Sequence, residues 1–87
     1  MAFRVIIRPS AAKVISKLPP KICRQILSRI EGLADDPRPS GCEQLKGEKG
    51  FFRIRSGDYR ILYIVQDRKL IVVVVRVDHR RDVYRQL

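Results

Sequence analysis

Six consecutive apolar residues, Leu70 to Val75, constrain this chain more than any other segment. The run is strongly β-branched, and branching at Cβ packs well on a pleated surface while losing side-chain freedom in a helix. A strand is therefore expected over Leu70 to Val77. The apolar run has no polar face, so it should lie centrally in a sheet with cover on both sides. It is also the longest uninterrupted apolar stretch in the chain, far below the roughly 20 residues that cross a bilayer. With 87 residues there is room for one core, so residues 1–87 are expected to form a single domain. Such a chain buries roughly 60% of its unfolded surface, so its stability is modest and a bound partner adds to it.

The periodicity elsewhere assigns the other elements. Phe3 to Arg8 is short and β-branched and reads as a strand, stopped by Pro9-Ser10. Ser10 is the expected N-cap of the helix that follows, in which Ala11, Val14, Ile15 and Leu18 recur at helical spacing. Pro19-Pro20 ends that helix and opens another, because proline fits the first helical turn. Ile22, Ile26, Ile30 and Leu33 fall on one stripe of the second helix, with Lys21, Arg24, Ser28 and Glu31 toward water. The tight link predicts an antiparallel helix hairpin. Asp35 to Gln44 reads as the longest loop. After it the period changes to two. Phe51 to Arg55 alternates, Ser56-Gly57-Asp58 turns, Tyr59 to Val65 is strand-like, and Gln66 to Lys69 turns again. The tail from Asp78 to Leu87 is polar and basic, a short strand or one helical turn. The expected fold is α+β: an N-terminal strand and an antiparallel helix hairpin packed on an antiparallel β-sheet. One sheet face is covered by the helices, and the other needs a partial cover or a ligand.

Charge then narrows the function. Lysine and arginine total 19 against 9 acidic residues, a formal net charge of +10, and arginine supplies most of it. That balance favours a polyanionic partner such as nucleic acid, an acidic protein segment or an anionic membrane surface. Arginine presents a planar, permanently charged fork that suits phosphate, so a polynucleotide backbone is the natural choice. The competing view is a solvated basic surface with no specific ligand. Met1-Ala2-Phe3-Arg4 has no apolar signal region. Cys23 and Cys42 make no disulfide framework and read as free thiols in a reducing cytosol. No Cys or His cluster has metal-ligand spacing, so neither a metal nor a cofactor is expected. The 45% hydrophobic content suffices for a core.

Alternation places part of this charge on one side of the sheet. Phe51, Arg53 and Arg55 share a face, and Phe52 and Ile54 share the other, which can meet the helices. Arg60 projects opposite to Tyr59, Ile61 and Tyr63. The face that Arg60 shares with the first strand depends on register, which alternation leaves open. Lys46 and Lys49 sit just before these strands as candidate RNA contacts. Gly47-Glu48-Lys49-Gly50 matches the Gly-x-x-Gly clamp of one RNA-binding module, but that loop belongs between helices, so a flexible turn is the simpler reading. His79-Arg80-Arg81-Asp82-Val83-Tyr84 gathers an imidazole, two guanidiniums and a phenol. Near a phosphodiester, guanidiniums stabilise the added charge of a phosphorane, histidine moves a proton near neutral pH, and tyrosine stacks on a base. The structural alternative packs Tyr84, exposes His79 and pairs Asp82 with an arginine.

Leu45-Lys46-Gly47, the stretch Phe52 to Tyr63 and the stretch His79 to Tyr84 together resemble the RelE toxins of bacterial and archaeal toxin–antitoxin modules. The resemblance spans essentially the whole chain and is shared with the wider RelE/ParE superfamily. It implies a ribosome-dependent mRNA endoribonuclease in the cytoplasm that needs no metal. In this chemistry the ribose 2′-hydroxyl attacks the adjacent phosphate, leaving a 2′,3′-cyclic phosphate and a free 5′-hydroxyl. The resemblance also implies an acidic, RelB-like antitoxin, contact with the ribosome and mRNA, operator DNA bound only through the antitoxin, and no membrane. Residue by residue, Arg60 matches the strand arginine that clamps the phosphate, while Arg53 and Arg55 match basic positions beside it. Arg80 or Arg81 matches a C-terminal arginine, and Tyr84 a tyrosine that orients the nucleotide. Two lysines of the best-known type are matched by Phe51 and Arg53, which cannot exchange protons. His79 is then the expected acid or base. Two further readings stand beside this one: a ParE-like DNA gyrase inhibitor without ribonuclease activity, and a plain basic binding module.

Overall fold

Proline sets the first boundary. In the computed structural model, which describes residues 2–47 and 50–79, strand β1 (Arg4–Ile7) gives way at once to helix α1 (Pro9–Ser16). The expected cap at Ser10 is corrected. Arg8 is the capping residue, with extended backbone and no side-chain cap bond, and Pro9 occupies the first turn. The ring presets the helical φ there, and proline has no amide to leave unsatisfied. Pro19 and Pro20 do the same for α2 (Pro20–Gly32), as the double proline implies.

The α2 stripe buries as its spacing requires. Ile26, Ile30 and Leu33 are at most 2% exposed, and Ala11 and Ile15 of α1 join them. Each large aliphatic side chain removed from water contributes about 1.5–3 kcal/mol. Val14 falls outside the α1 stripe and stays exposed. The helices lie on a five-stranded sheet with the order β1-β5-β4-β3-β2. Its other strands are β2 (Glu43–Gln44), β3 (Phe51–Ser56), β4 (Tyr59–Gln66) and β5 (Ile71–His79). Consecutive strands β2 to β5 pair antiparallel; the sequence pattern predicts β3, β4 and β5, whereas β2 lies at the end of the stretch expected to be loop. The class is α+β, but the sheet is mixed: β1 runs parallel to β5, since the helix pair carries the chain back across the sheet.

The strand holding the apolar run lies between β1 and β4. Val72, Val74 and Val77 are fully buried under the helices. The expected cover on both faces is corrected, because Ile71 and Val73 remain partly exposed and no helix among the described residues crosses that side. Leu70 is not part of the strand. It takes a left-handed conformation, φ 55°, closing a 3₁₀ turn over Asp67–Lys69. Asp78 and His79 extend β5.

The loop between α2 and β2 is pinned down. The buried Tyr63 hydroxyl donates to the Pro37 carbonyl at 2.7 Å. Burial, reinforced by Cys42, pushes that phenol well above its ordinary pKa. Arg38 makes two bonds to Asp67, at 3.1 and 2.6 Å, and lies 5.1 Å above the Phe52 ring. Hydrogen bonding to Arg38 holds the Asp67 carboxyl below its ordinary pKa. These ties deliver Gly41 and Cys42 to the start of β2, and so place Glu43 at the β3 edge. Cys23 and Cys42 are free thiols. No helix among the described residues is long and apolar enough to cross a membrane.

Candidate nucleic-acid interface

The β3–β4 register answers what alternation leaves open. Arg53 pairs with Leu62 and Arg55 with Arg60. Directly opposed residues of an antiparallel pair share a face. Phe52, Ile54, Ile61 and Tyr63 are buried toward the helices, so Arg53, Arg55 and Arg60 stand together on the open face. The two-residue loop Gly57-Asp58 maintains this register. Gly57 takes φ 58° at its first position, where glycine suits a II′-type hairpin turn.

An irregularity in β5 adds to the same face. Leu62 pairs with Arg76 but Tyr63 pairs with Val74, leaving Val75 as an extra residue. The bulge shifts the alternation by one position, so Val77 remains inside and Arg76 and Asp78 point outward. Asp78 pairs with Arg76 at 2.5 Å and lies across from Arg60.

Gly41, Glu43, Arg53, Ile54, Arg55 and Arg60 line a polar cleft of about 180 Å³. Glu43 accepts from Arg53 Nη2 at 3.2 Å. Arg53 Nε and one Arg60 terminal nitrogen are buried without a hydrogen-bond partner among the described residues. Buried donors lacking partners cost free energy, and an oxyanion in the cleft supplies what they lack. Three guanidiniums against one lining carboxylate make the cleft suited to an anion and able to stabilise added charge on it.

The structure brings together Arg53, Arg55 and Arg60 of the expected site residues. His79 is not with them. It pairs with Tyr59, and its ring meets the Tyr59 ring edge-on at 5.1 Å, on the helix side of the sheet. Strand alternation therefore puts it on the face opposite Arg60. Lys46 is exposed in the turn after β2 and does not line the cleft. Lys49, Arg80, Arg81 and Tyr84 lie outside the described residues.

Sequence reasoning missed two features. Glu43 enters the cleft through a two-residue strand too short to show periodicity. The second is a groove of about 640 Å³ lined by Lys21, Arg24, Gln25, Ser28 and Arg29 of α2, with Arg55, Ser56 and Gly57. Its signal was the i, i+3, i+4, i+7, i+8 spacing of polar residues along one helix face.

A basic α+β domain with two helices on one sheet face and an arginine cleft on the other has close counterparts. The family model for the ParE toxin of the type II toxin–antitoxin system parDE matches residues 5–84. Toxin RelG of Mycobacterium tuberculosis is 36% identical over 87 residues, covering 99% of this chain and 100% of that protein. In the RelBE2 toxin–antitoxin complex of the same organism, a chain 34% identical superposes with a TM-score of 0.80, covering 92% of this chain and 93% of that one. The archaeal RelE–RelB complex of Pyrococcus horikoshii gives a TM-score of 0.83 at 27% identity, over 92% and 97% of the two chains. This chain belongs to that toxin family: it is a RelE-type toxin of the RelE/ParE superfamily, a component of a type II toxin–antitoxin system.

Proposed function

We propose that this toxin is a ribosome-dependent mRNA endoribonuclease acting in the cytoplasm. The observation that carries the reading is the convergence of Arg53, Arg55 and Arg60 on one cleft with buried, unpartnered guanidinium nitrogens. The reaction is transesterification. The ribose 2′-oxygen forms a bond to phosphorus, the bond from phosphorus to the 5′-oxygen breaks, and the proton lost from the former is made good on the latter. The arginines hold the phosphate and offset the charge that builds on its non-bridging oxygens, which is worth most in a cleft with little water. Glu43 steadies Arg53 from the far side. The reading places His79 in packing against Tyr59, and leaves Arg80 or Arg81 and Tyr84 as further contacts to the nucleotide.

An acidic RelB-type antitoxin is the partner proposed for the +10 chain. The solved relatives named above are toxin–antitoxin complexes, which supports that choice. The test is induction of the toxin in cells, with mRNA ends mapped on ribosomes beside an assay of DNA supercoiling and breaks. Codon-phased mRNA cuts that drop at least about 100-fold with Arg60→Ala are expected. Gyrase-dependent DNA damage without mRNA cuts would transfer the chain to the ParE-like reading.

A further inference from the structure

We propose that the groove between α2 and the β3–β4 hairpin is a second RNA surface, which holds the phosphate backbone of structured RNA while the cleft on the open face takes the strand to be cut. The inference rests on the ribonuclease reading for its biological setting, but not for its test.

Lys21, Arg24, Gln25, Ser28 and Arg29 recur at i, i+3, i+4, i+7 and i+8, so one face of α2 presents three cations and two neutral hydrogen-bonding side chains. This face is turned away from the Ile26–Ile30 stripe that anchors the helix. Lys21, Arg24 and Arg29 are exposed, and no ion pair among the described residues engages them. Glu31 falls outside the groove, and no carboxylate lines it. Charge held in this way, without acidic neighbours, is poorly suited to internal stability and well suited to an external polyanion. At about 640 Å³ the groove is several times the size of the cleft, so it accommodates a run of backbone and not a single phosphate. Arg55 lines both sites and makes them continuous around the sheet edge. Serine, glutamine, arginine and lysine without an aromatic residue are groups that hold phosphates and sugars, whereas reading unpaired bases calls for stacking rings. The occupant that fits is therefore double-helical RNA, recognised by shape and charge.

The test measures binding of a fluorescently labelled RNA hairpin to the full-length toxin by anisotropy, across roughly 50 to 200 mM salt. Lys21→Ala/Arg24→Ala/Arg29→Ala should weaken binding at least about tenfold at the low end and reduce the log–log salt slope by about two to three. Arg24→Lys/Arg29→Lys, which keeps the charges, should retain most of the slope. Arg60→Ala, in the cleft, should reduce the slope by no more than about one. A circular dichroism melt identifies any variant that loses its fold. Unchanged affinity and slope in the folded triple variant would overturn the proposal. So would a triple variant that keeps RNA binding but no longer holds its acidic partner protein, since the groove would then be a protein surface. Failure of Arg60→Ala to affect mRNA cutting would count against the ribonuclease reading alone and leave the groove result standing.

Discussion

Arg60 stands directly across from Arg55, and like charges at that separation repel by roughly 0.5 kcal/mol. Stability alone does not favour such a pair, but an anion bridging them does. Arg60→Ala should therefore keep its unfolding free energy within about 0.5 kcal/mol of the parent even as cutting is lost, a separation that urea denaturation beside the mRNA-end assay would reveal. His79→Ala makes the opposite trade. Removing its contact with Tyr59 should cost about 0.5–1.5 kcal/mol in a melt while cutting proceeds near the parent rate. Tyr63 adds a pH dependence. Its folded pKa is raised by burial, so the folded state holds its proton where the unfolded state has released it. That contribution is whole below about pH 10 and declines as pH climbs above it. Tyr63→Phe also forgoes the bond to Pro37, a loss of about 1 kcal/mol. The stability gap between parent and Tyr63→Phe should thus be widest near neutral pH and narrow above about pH 10 in urea titrations. A gap that widened in base would contradict the assignment. None of these partners was legible beforehand. Phenol, imidazole and guanidinium are visible as types, but Tyr63 and His79 meet groups 26 and 20 positions away, and Arg60 meets Arg55 only through the strand register.

Elements were far more legible than contacts. The double proline, the 22-26-30-33 stripe and the alternation of Phe51 to Arg55 each express a local steric or burial rule, and each predicts its element correctly. Ser10 failed as a cap because Pro9 starts the helix, which moves the cap two residues earlier to Arg8. The two-residue β2 and the parallel β1–β5 pairing escaped because both depend on a neighbour distant in the chain. The β3–β4 hairpin is where local rule and site meet, since its turn sets Arg55 across from Arg60. Gly57 takes a positive φ with open space around it, so Gly57→Ala incurs backbone strain and no clash. A loss of about 1 kcal/mol, or about 4–8 °C in Tm, is expected from calorimetry.

For the whole molecule the question is what supplements a small core under a charge of +10. The acidic partner proposed above is expected to do so twice, by covering the open face and by relieving self-repulsion. Thermal shift should report about 2.7 kcal/mol of added stability at a 100-fold excess of partner over its Kd, and less at high salt. A partner that binds without raising Tm would show that it does not prefer the folded toxin. Hydrophobic periodicity and proline positions were enough to determine the class and most strand and helix positions, and net charge raised the expectation of a polyanionic partner. These follow from near-neighbour sterics and composition, which a linear chain records in full. Which sheet face carries Arg60, that His79 lies on the other, and that α2 and Arg55 enclose a second basic groove were decided only by tertiary structure. Strand register, the Val75 bulge and the docking of α2 bring together residues whose separation along the chain gives no hint of their distance in space.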